Sequence, residues 1–136
     1  MTPVVVDASV AGAWLLPDET SRRADRILTS IRREGATMSV LSLWIYEIAN
    51  LLLSAERRGR LDDVDRADAL RLIESLPRQV HDHESPIAQR RLAELAARFR
   101  LSAYDAAYLE LADRLQGRLY TFDDRLARAA DALGCA

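Results

Sequence analysis

The sequence contains no lysine, and all 19 of its basic residues are arginines. With 21 acidic residues the formal net charge is −2, so the overall charge provides no argument for binding a nucleic acid. The missing lysine also restricts the possible chemistry, because any site that requires a lysine side chain cannot be built from this chain.

Cysteine is nearly absent as well. Cys135, one residue from the C-terminus, has no partner for an internal disulfide, so we expect the reducing cytoplasm as its setting and an inert thiol at a frayed end. The opening "MTPVVVDASV" has no basic residue, and Asp7 interrupts its apolar run. It therefore resembles neither a signal peptide nor a membrane span, and we expect a cytoplasmic protein without membrane segments whose mature chain begins at Met1.

What is present is typical of a compact soluble protein. The chain has 136 residues, of which 49% are hydrophobic and 29% charged, so we predict a single domain over residues 1–136. Short β-branched runs alternate with longer helical patterns, which predicts an α/β fold with a parallel sheet covered by helices on both faces. The strand candidates are "PVVVD" at 3–7, "ATMSV" at 36–40, "RQVHD" at 78–82 and "RLYTF" at 118–122. The helical patterns cover 18–34, 43–59, 63–76, about 85–99, 103–116 and a last stretch from about 124.

Acidic residues follow two of the predicted strands. Asp7 ends "VVVD", with the Ser9 hydroxyl two residues on, and "LYTFDD" ends in Thr121, Asp123 and Asp124. Ligands of parallel sheets gather beyond the carboxyl ends of the strands, so these acids are candidate ligands of a functional site. The ordinary alternative is helix capping: Asp7 could cap the next helix, and Thr121 with Asp124 could form a capping box.

Two further acids lie on predicted helices. Asp105 stands in a first helical turn, three residues after Ser102, where a capping box and the helix dipole are, for this residue taken alone, a better explanation than catalysis. Glu47 is in mid-helix, four residues from Leu43 and from Leu51, and Asn50 lies on the same face. A buried, unpaired carboxylate there costs several kcal/mol in order of magnitude, so it needs a cation or hydrogen-bond donors; a solvated stripe is the alternative.

These four acids can converge at one edge of the sheet. Clustered carboxylates repel one another, and a divalent cation that prefers oxygen ligands, most plausibly Mg²⁺ or Mn²⁺, relieves the repulsion. Such an ion can hold a phosphate oxygen and make a water more acidic, so the chemistry that this set of acids favours is phosphodiester hydrolysis.

The same residues carry a family resemblance over essentially the whole chain. "VVVDASV", the pattern E-x-x-N-L-L at 47–52, "LSAYDAAYLELA" around Asp105 and T-x-D-x-x-L at 121–126 resemble the PIN-domain ribonucleases, of the kind that form the toxin half of VapBC-type toxin–antitoxin pairs. The resemblance implies a three-layer α/β/α sandwich with a central parallel sheet, endonucleolytic RNA cleavage with Mg²⁺ or Mn²⁺, a small antitoxin partner and a homodimer. It places Asp7, Glu47, Asp105 and Asp123 at the metal-binding and catalytic positions and makes Ser9, Asn50 and Thr121 supporting polar groups, while Asp124 could join through water.

Other features of the sequence allow a functional and an ordinary interpretation. Arginines that occur close together in the sequence could contact RNA or the antitoxin, but neighbouring arginines on a helix commonly form a solvated face. These arginines are Arg22 and Arg23, Arg32 and Arg33, Arg57 and Arg58 with Arg60, and Arg90 and Arg91. Trp14 and Trp44 could stack on bases, although core packing is the better interpretation. His81 and His83 in "HDH" invite a metal site, but we predict a strand end or loop.

Two other classes of function remain as alternatives. A phosphoryl-accepting signalling domain also places acids and Mg²⁺ at strand ends, yet such domains use a lysine to hold the phosphoryl group, and this chain has none. A catalytically silent binding module with the same fold is the second alternative, and the presence of all four acids argues against it.

Overall fold

The computed structural model describes residues 2–18 and 21–136. Within them one parallel sheet of four strands runs in the order β3-β2-β1-β4. The strands are β1 (Val4–Val6), β2 (Met38–Leu41), β3 (Arg78–His81) and β4 (Arg118–Tyr120). Every residue of β1 and β2 is buried, whereas β3 at the edge is mostly exposed. The parallel sheet and all four strand candidates are thus confirmed.

Helices cover the sheet and complete the predicted three-layer α/β/α sandwich. They are α1 (Ala8–Leu15), α2 (Arg22–Glu34), α3 (Ser42–Arg57), α4 (Asp63–Ser75), α5 (Pro86–Phe99), α6 (Ala103–Leu115) and α7 (Asp124–Ala132). Six of them match the predicted helical patterns. None of the helices in the described ranges is long and apolar enough to cross a membrane.

Helix α1 was not predicted from the sequence. Its eight residues, "ASVAGAWL", are almost all small or apolar, and most of them are buried, so the stretch has no polar face to produce a helical period. It packs against α3 so closely that a Cβ on Gly12 would lie 2.7 Å from Leu51 Cδ1. The sequence shows this helix only through its cap, Asp7.

The predicted start of α2 at residue 18 is wrong. The helix begins at Arg22, and Ser21 is its N-cap, accepting a hydrogen bond from Ala24 N at 3.1 Å. Asp18 instead pairs with Arg60, whose Nε lies 2.8 Å from Asp18 Oδ2. Residues 19 and 20, which the prediction had placed in the helix, lie outside the described residues.

Two more expectations concern single residues. The Cys135 thiol is not at a frayed end: the residue is 4% exposed and its carbonyl accepts a hydrogen bond from Leu119 N at 2.7 Å, and burial raises the thiol pKa. Trp44 is fully buried and the half-buried Trp14 donates to Ala24 O at 2.8 Å, so packing explains both tryptophans.

The strand register brings two of the predicted site segments together. Val6 at the end of β1 pairs with Tyr120 at the end of β4, and the next residue, Asp7, donates its N–H to Tyr120 O at 3.2 Å. Asp7 and Thr121 therefore leave the sheet side by side at its carboxyl edge.

Candidate functional site

Asp7 lies at the centre of the carboxyl edge and is only 5% exposed. It is the N-cap of α1: its Oδ1 accepts hydrogen bonds from Ser9 N at 3.0 Å and Val10 N at 3.3 Å. The Ser9 hydroxyl donates to the same oxygen at 2.6 Å. Burial raises the pKa of Asp7, and these hydrogen bonds oppose part of the rise. The capping interpretation of Asp7 is confirmed, and it leaves the carboxylate at the expected edge of the sheet.

Thr121 and Ser9 tie the end of β1 to the loop after β4. The buried Thr121 hydroxyl donates to Asp7 Oδ2 and accepts from Asp123 N at 3.0 Å. Ser9 Oγ in turn accepts from Phe122 N at 2.9 Å. The two hydroxyls thus fix the direction of the Asp7 carboxylate.

Glu47 projects from α3 toward the same edge and is half-buried. Its Oε1 accepts a hydrogen bond from the Tyr108 hydroxyl on α6 at 2.5 Å. Burial raises the pKa of Glu47, and the negative charges of Asp7 and Asp105 raise it further. A raised pKa makes this carboxylate a stronger base than a glutamate in water.

Tyr108 was not predicted from the sequence as a residue of the site. It is 1% exposed, and burial together with the neighbouring Glu47 raises its pKa so far that the phenol stays protonated and can only donate to Glu47. The available signal was its position three residues after Asp105, which places both side chains on one face of α6. Nothing in the sequence shows that this face meets α3.

Asp105 lies in the first turn of α6 and is partly exposed. The Ser102 hydroxyl caps the helix by accepting from Asp105 N at 3.1 Å, but the described contacts do not include a return bond from the Ser102 backbone N–H to the Asp105 carboxylate. The capping box is therefore only half formed, and the carboxylate lines an open cavity. Burial raises the pKa of Asp105, the charges of Asp123 and Asp7 add to the rise, and a hydrogen bond from the Ser102 side chain opposes part of it.

Asp123 and Asp124 are exposed and line the same cavity as Asp105. Asp123 is the N-cap of α7, since its Oδ1 accepts from Leu126 N at 2.8 Å. The capping box proposed between Thr121 and Asp124 is wrong, because Thr121 is engaged with Asp7 and Asp123 performs the capping. The second oxygen of Asp123 remains available beside Asp105.

The pKa shifts show that the acids interact electrostatically. The charge of Asp7 raises the pKa of both Glu47 and Asp105, and the charge of Asp123 raises that of Asp105. Across residues 2–18 and 21–136, however, no three His, Cys, Asp or Glu side chains converge closely enough to form a complete metal centre alone. Mg²⁺ is commonly held by one or two carboxylates, with water and substrate oxygens as its other ligands. The oxygen-rich set around Asp7 fits that kind of ion.

Two open cavities flank the acids. The first, about 520 Å³, is lined by Asp105, Asp123 and Asp124 together with Ser102, Phe122, Arg100, Arg125 and Arg128. The second, about 510 Å³, is lined by Ser9, Glu47, Asn50, Ser54, Arg58 and Arg60. Asn50 thus shares a surface with Glu47, as its helical spacing predicted, and makes no direct bond to that carboxylate among the described contacts.

The arginines at the site are mostly not those singled out by their grouping in the sequence. Arg58 and Arg60 line the second cavity, but Arg100, Arg125 and Arg128 of the first were missed. The last two are three residues apart on α7, directly after Asp123. The sequence spacing of Arg125 and Arg128 could have predicted that they share one face of α7, but the position of Arg100 beside them depends on how the end of α5 packs.

The "HDH" segment lines neither of these two cavities. His81 ends β3 and His83 follows in a loop, as predicted. His83 Nε2 lies 2.8 Å from Oε1 of Glu110, a carboxylate that is 4% exposed and that also accepts two hydrogen bonds from Arg114 Nε at 3.1 Å. This contact with a buried carboxylate is a structural explanation for His83.

Comparisons with known proteins agree with the geometry. The family profile of the PIN domain matches residues 4–132. Ribonuclease VapC3 of Pyrobaculum aerophilum is 32% identical over 130 residues, which are 96% of each chain. The crystal structure of PAE2754 from Pyrobaculum aerophilum matches with a TM-score of 0.68 and 25% identity, covering 94% of this chain and 86% of that one.

Proposed function

The chain belongs to the PIN-domain family, and from this premise we propose that it is a divalent-metal-dependent endoribonuclease that acts as the toxin of a toxin–antitoxin pair. The name of its relative, Ribonuclease VapC3, supports this activity. We infer that residues 1–136 form one nuclease domain in the cytoplasm. A cognate antitoxin and a second copy of the chain are the protein partners that the family resemblance implies.

The observation that carries the proposal is the coupled set of acids at the carboxyl edge of the sheet. Asp7, Glu47 and Asp105 come from different elements, and the pKa of each is raised. Partly buried carboxylates that raise one another's pKa are unfavourable for folding alone and useful where a cation binds. Flanking cavities give a polymer access from either side.

Each acid has a proposed role. Asp7 and Asp105 would hold Mg²⁺ or Mn²⁺ directly, Asp123 would complete the site, and Asp124 could contribute through water. When bound, such an ion neutralises charge on the phosphodiester and makes the attacking water more acidic. Ser9 and Thr121 keep the Asp7 carboxylate oriented, and we assign Asn50 to the surface that the substrate meets.

Glu47 is proposed to receive the proton of the attacking water, directly or through a second water. Tyr108 occupies its Oε1, whereas no described residue donates to its Oε2. The raised pKa of Glu47 suits proton uptake. Tyr108 would be a positioning residue, because it fixes which oxygen faces the substrate.

The test is cleavage of end-labelled RNA by the purified protein in Mg²⁺, in Mn²⁺ and in EDTA. We expect discrete cuts that require the metal and fall at least about a hundredfold in Asp105→Asn, the scale typical of losing a group that stabilises the transition state. Asp113→Asn is the matched control, since it removes the same charge from the same helix but pairs with Arg91 away from the site. Equal activity of Asp105→Asn and wild type would contradict the role of this site, and intact RNA with both proteins folded would favour the binding module.

A further inference from the structure

The cavity beside Asp105 is lined by three arginines in addition to the acids of the proposed metal site. We call it the arginine cavity and define it by Arg100, Arg125 and Arg128, which share its walls with Asp105 and Asp123. Its volume is about 520 Å³. Because the arginines and the acids line one continuous depression, an anion bound to the arginines would lie next to the proposed cleavage site.

In the part of the chain that the structure describes, the three guanidinium groups are not paired directly with the acids of the same cavity. Among the described residues, Arg100, Arg125 and Arg128 form no ion pair, although aspartates line the same cavity. Of these three side chains, only that of Arg125 makes a hydrogen bond within residues 2–18 and 21–136: it donates to Arg100 O at 3.1 Å and so links α7 to the end of α5. Arg66 and Arg114, in contrast, pair with Glu56 and Glu110. The cavity thus presents exposed positive charge to an anion from outside the chain.

Arg100 occupies a backbone conformation that an arginine does not favour. It is the C-cap of α5 with φ 55° and ψ 44°, the left-handed region where glycine is the usual residue. A side chain there costs roughly 1 kcal/mol. Gly35 fills the equivalent position at the end of α2 without this cost. A glycine at position 100 would therefore suit this backbone conformation better than the arginine does.

Phe122 adds an aromatic surface to the cavity. The ring is half-buried, lines the cavity and directly precedes Asp123 and Asp124 in the chain, with the Arg23 guanidinium 5.2 Å from its centroid. Arginine charge combined with an accessible aromatic ring is how single-stranded nucleic acids are held without base-specific contacts.

We propose that the arginine cavity binds the backbone phosphate next to the scissile one in a single-stranded RNA, with the adjoining base against Phe122. This rests on the proposed ribonuclease function and assigns it a substrate-binding surface. Single-stranded RNA fits because a base can reach the aromatic ring only when it is unstacked from its neighbours. An acidic segment of a protein partner is the competing occupant. It is less favoured because Asp105, Asp123 and Asp124 in the same cavity would repel its carboxylates, whereas for RNA a divalent ion held by these acids would supply positive charge that attracts the phosphate.

Arg100→Gly is the most informative variant, because it removes the guanidinium and relaxes the backbone at once. Gln116→Gly is its matched control: Gln116 is the other non-glycine residue with positive φ in the described chain (φ 52°), it caps α6, and it does not line the cavity. Arg128→Gln and the exposed Arg90→Gln on α5 form a second pair that changes charge alone. Thermal unfolding of each variant checks that it is folded.

The measurement is fluorescence anisotropy of a labelled single-stranded RNA oligonucleotide in EDTA over a series of salt concentrations. We expect Arg100→Gly and Arg128→Gln to weaken binding by about threefold or more and to reduce the slope of log K against log salt by about 0.7 for each lost phosphate contact. Gln116→Gly and Arg90→Gln should bind like the wild type.

Cleavage in Mg²⁺, run in parallel, separates this proposal from the proposed function. Arginine variants that bind RNA as the wild type does would overturn the arginine cavity, even if the wild type cleaves RNA. Lost binding in the arginine variants supports the cavity even if no RNA is cut. Unchanged RNA affinity together with weaker binding of an acidic peptide would overturn the proposal in favour of a protein partner.

Discussion

At the scale of single residues, the carboxylates of the site are expected to destabilise the metal-free protein. The pKa values of Asp105 and Glu47 are raised mainly by burial, from ordinary values of 3.8 and 4.5. A group whose pKa is higher in the folded state stabilises the fold below its unfolded pKa, and that contribution is lost as the pH rises through the folded value. In EDTA, stability should therefore decline from about pH 4 toward neutral pH on account of these groups.

Glu47→Gln should remove part of the loss of stability that accompanies rising pH in EDTA. The amide keeps an oxygen for the Tyr108 hydroxyl but carries no charge, so we expect the variant to be more stable than wild type at pH 7 in EDTA and to show a smaller stability loss between pH 4 and 7. Urea denaturation at several pH values measures both. Glu74→Gln, an exposed glutamate on α4, is the control and should leave the pH profile unchanged. A variant less stable than wild type with an identical pH profile would be evidence against electrostatic strain at Glu47.

At the scale of elements, the site depends on how closely β4 approaches β1. A Cβ on Gly117, just before β4, would lie 2.7 Å from the Pro3 carbonyl oxygen, and Arg118 N donates to that same oxygen at 2.9 Å. Gly117→Ala must displace backbone, so we expect a loss of roughly 1–3 kcal/mol in the free energy of unfolding. Because Thr121 would move away from Asp7, RNA cleavage should fall as well.

Gly12→Ala provides the comparison, since its Cβ would meet Leu51 at the same 2.7 Å. There the neighbour is the end of a flexible side chain, and alanine is favoured over glycine in a helix by about 1 kcal/mol. We therefore expect a much smaller change. If urea denaturation shows Gly117→Ala to be as stable as Gly12→Ala, the β1–β4 contact does not limit the fold in this way.

The strands and helices also show which parts of the fold and of the site could be predicted from sequence patterns. The four strands and six helices were predictable because β-branched runs, caps and helical periods are local signals, whereas α1 has no polar face to reveal it. Asp7 and Asp123 could be placed together because parallel strands end at one edge. Two features could not be predicted: the contact of Tyr108 with Glu47, and the shared cavity of Arg100 and Arg128. Both depend on how α3, α5, α6 and α7 pack, and such packing produces no short-range pattern in the sequence.

At the scale of the whole molecule, the two cavities that flank the acids are open in the single chain, so the proposed nuclease would be inhibited by a partner that covers them. We predict that the cognate antitoxin covers the acids and places a basic side chain where the metal's charge would lie, because that compensates the mutual repulsion of Asp7, Glu47 and Asp105. An equimolar complex should cut no RNA and should bind Mn²⁺ more weakly than the free chain in calorimetry. An antitoxin from an unrelated pair is the control, and removal of the cognate antitoxin should restore cleavage. Full nuclease activity in a tight complex that does not dissociate would show that the partner binds elsewhere.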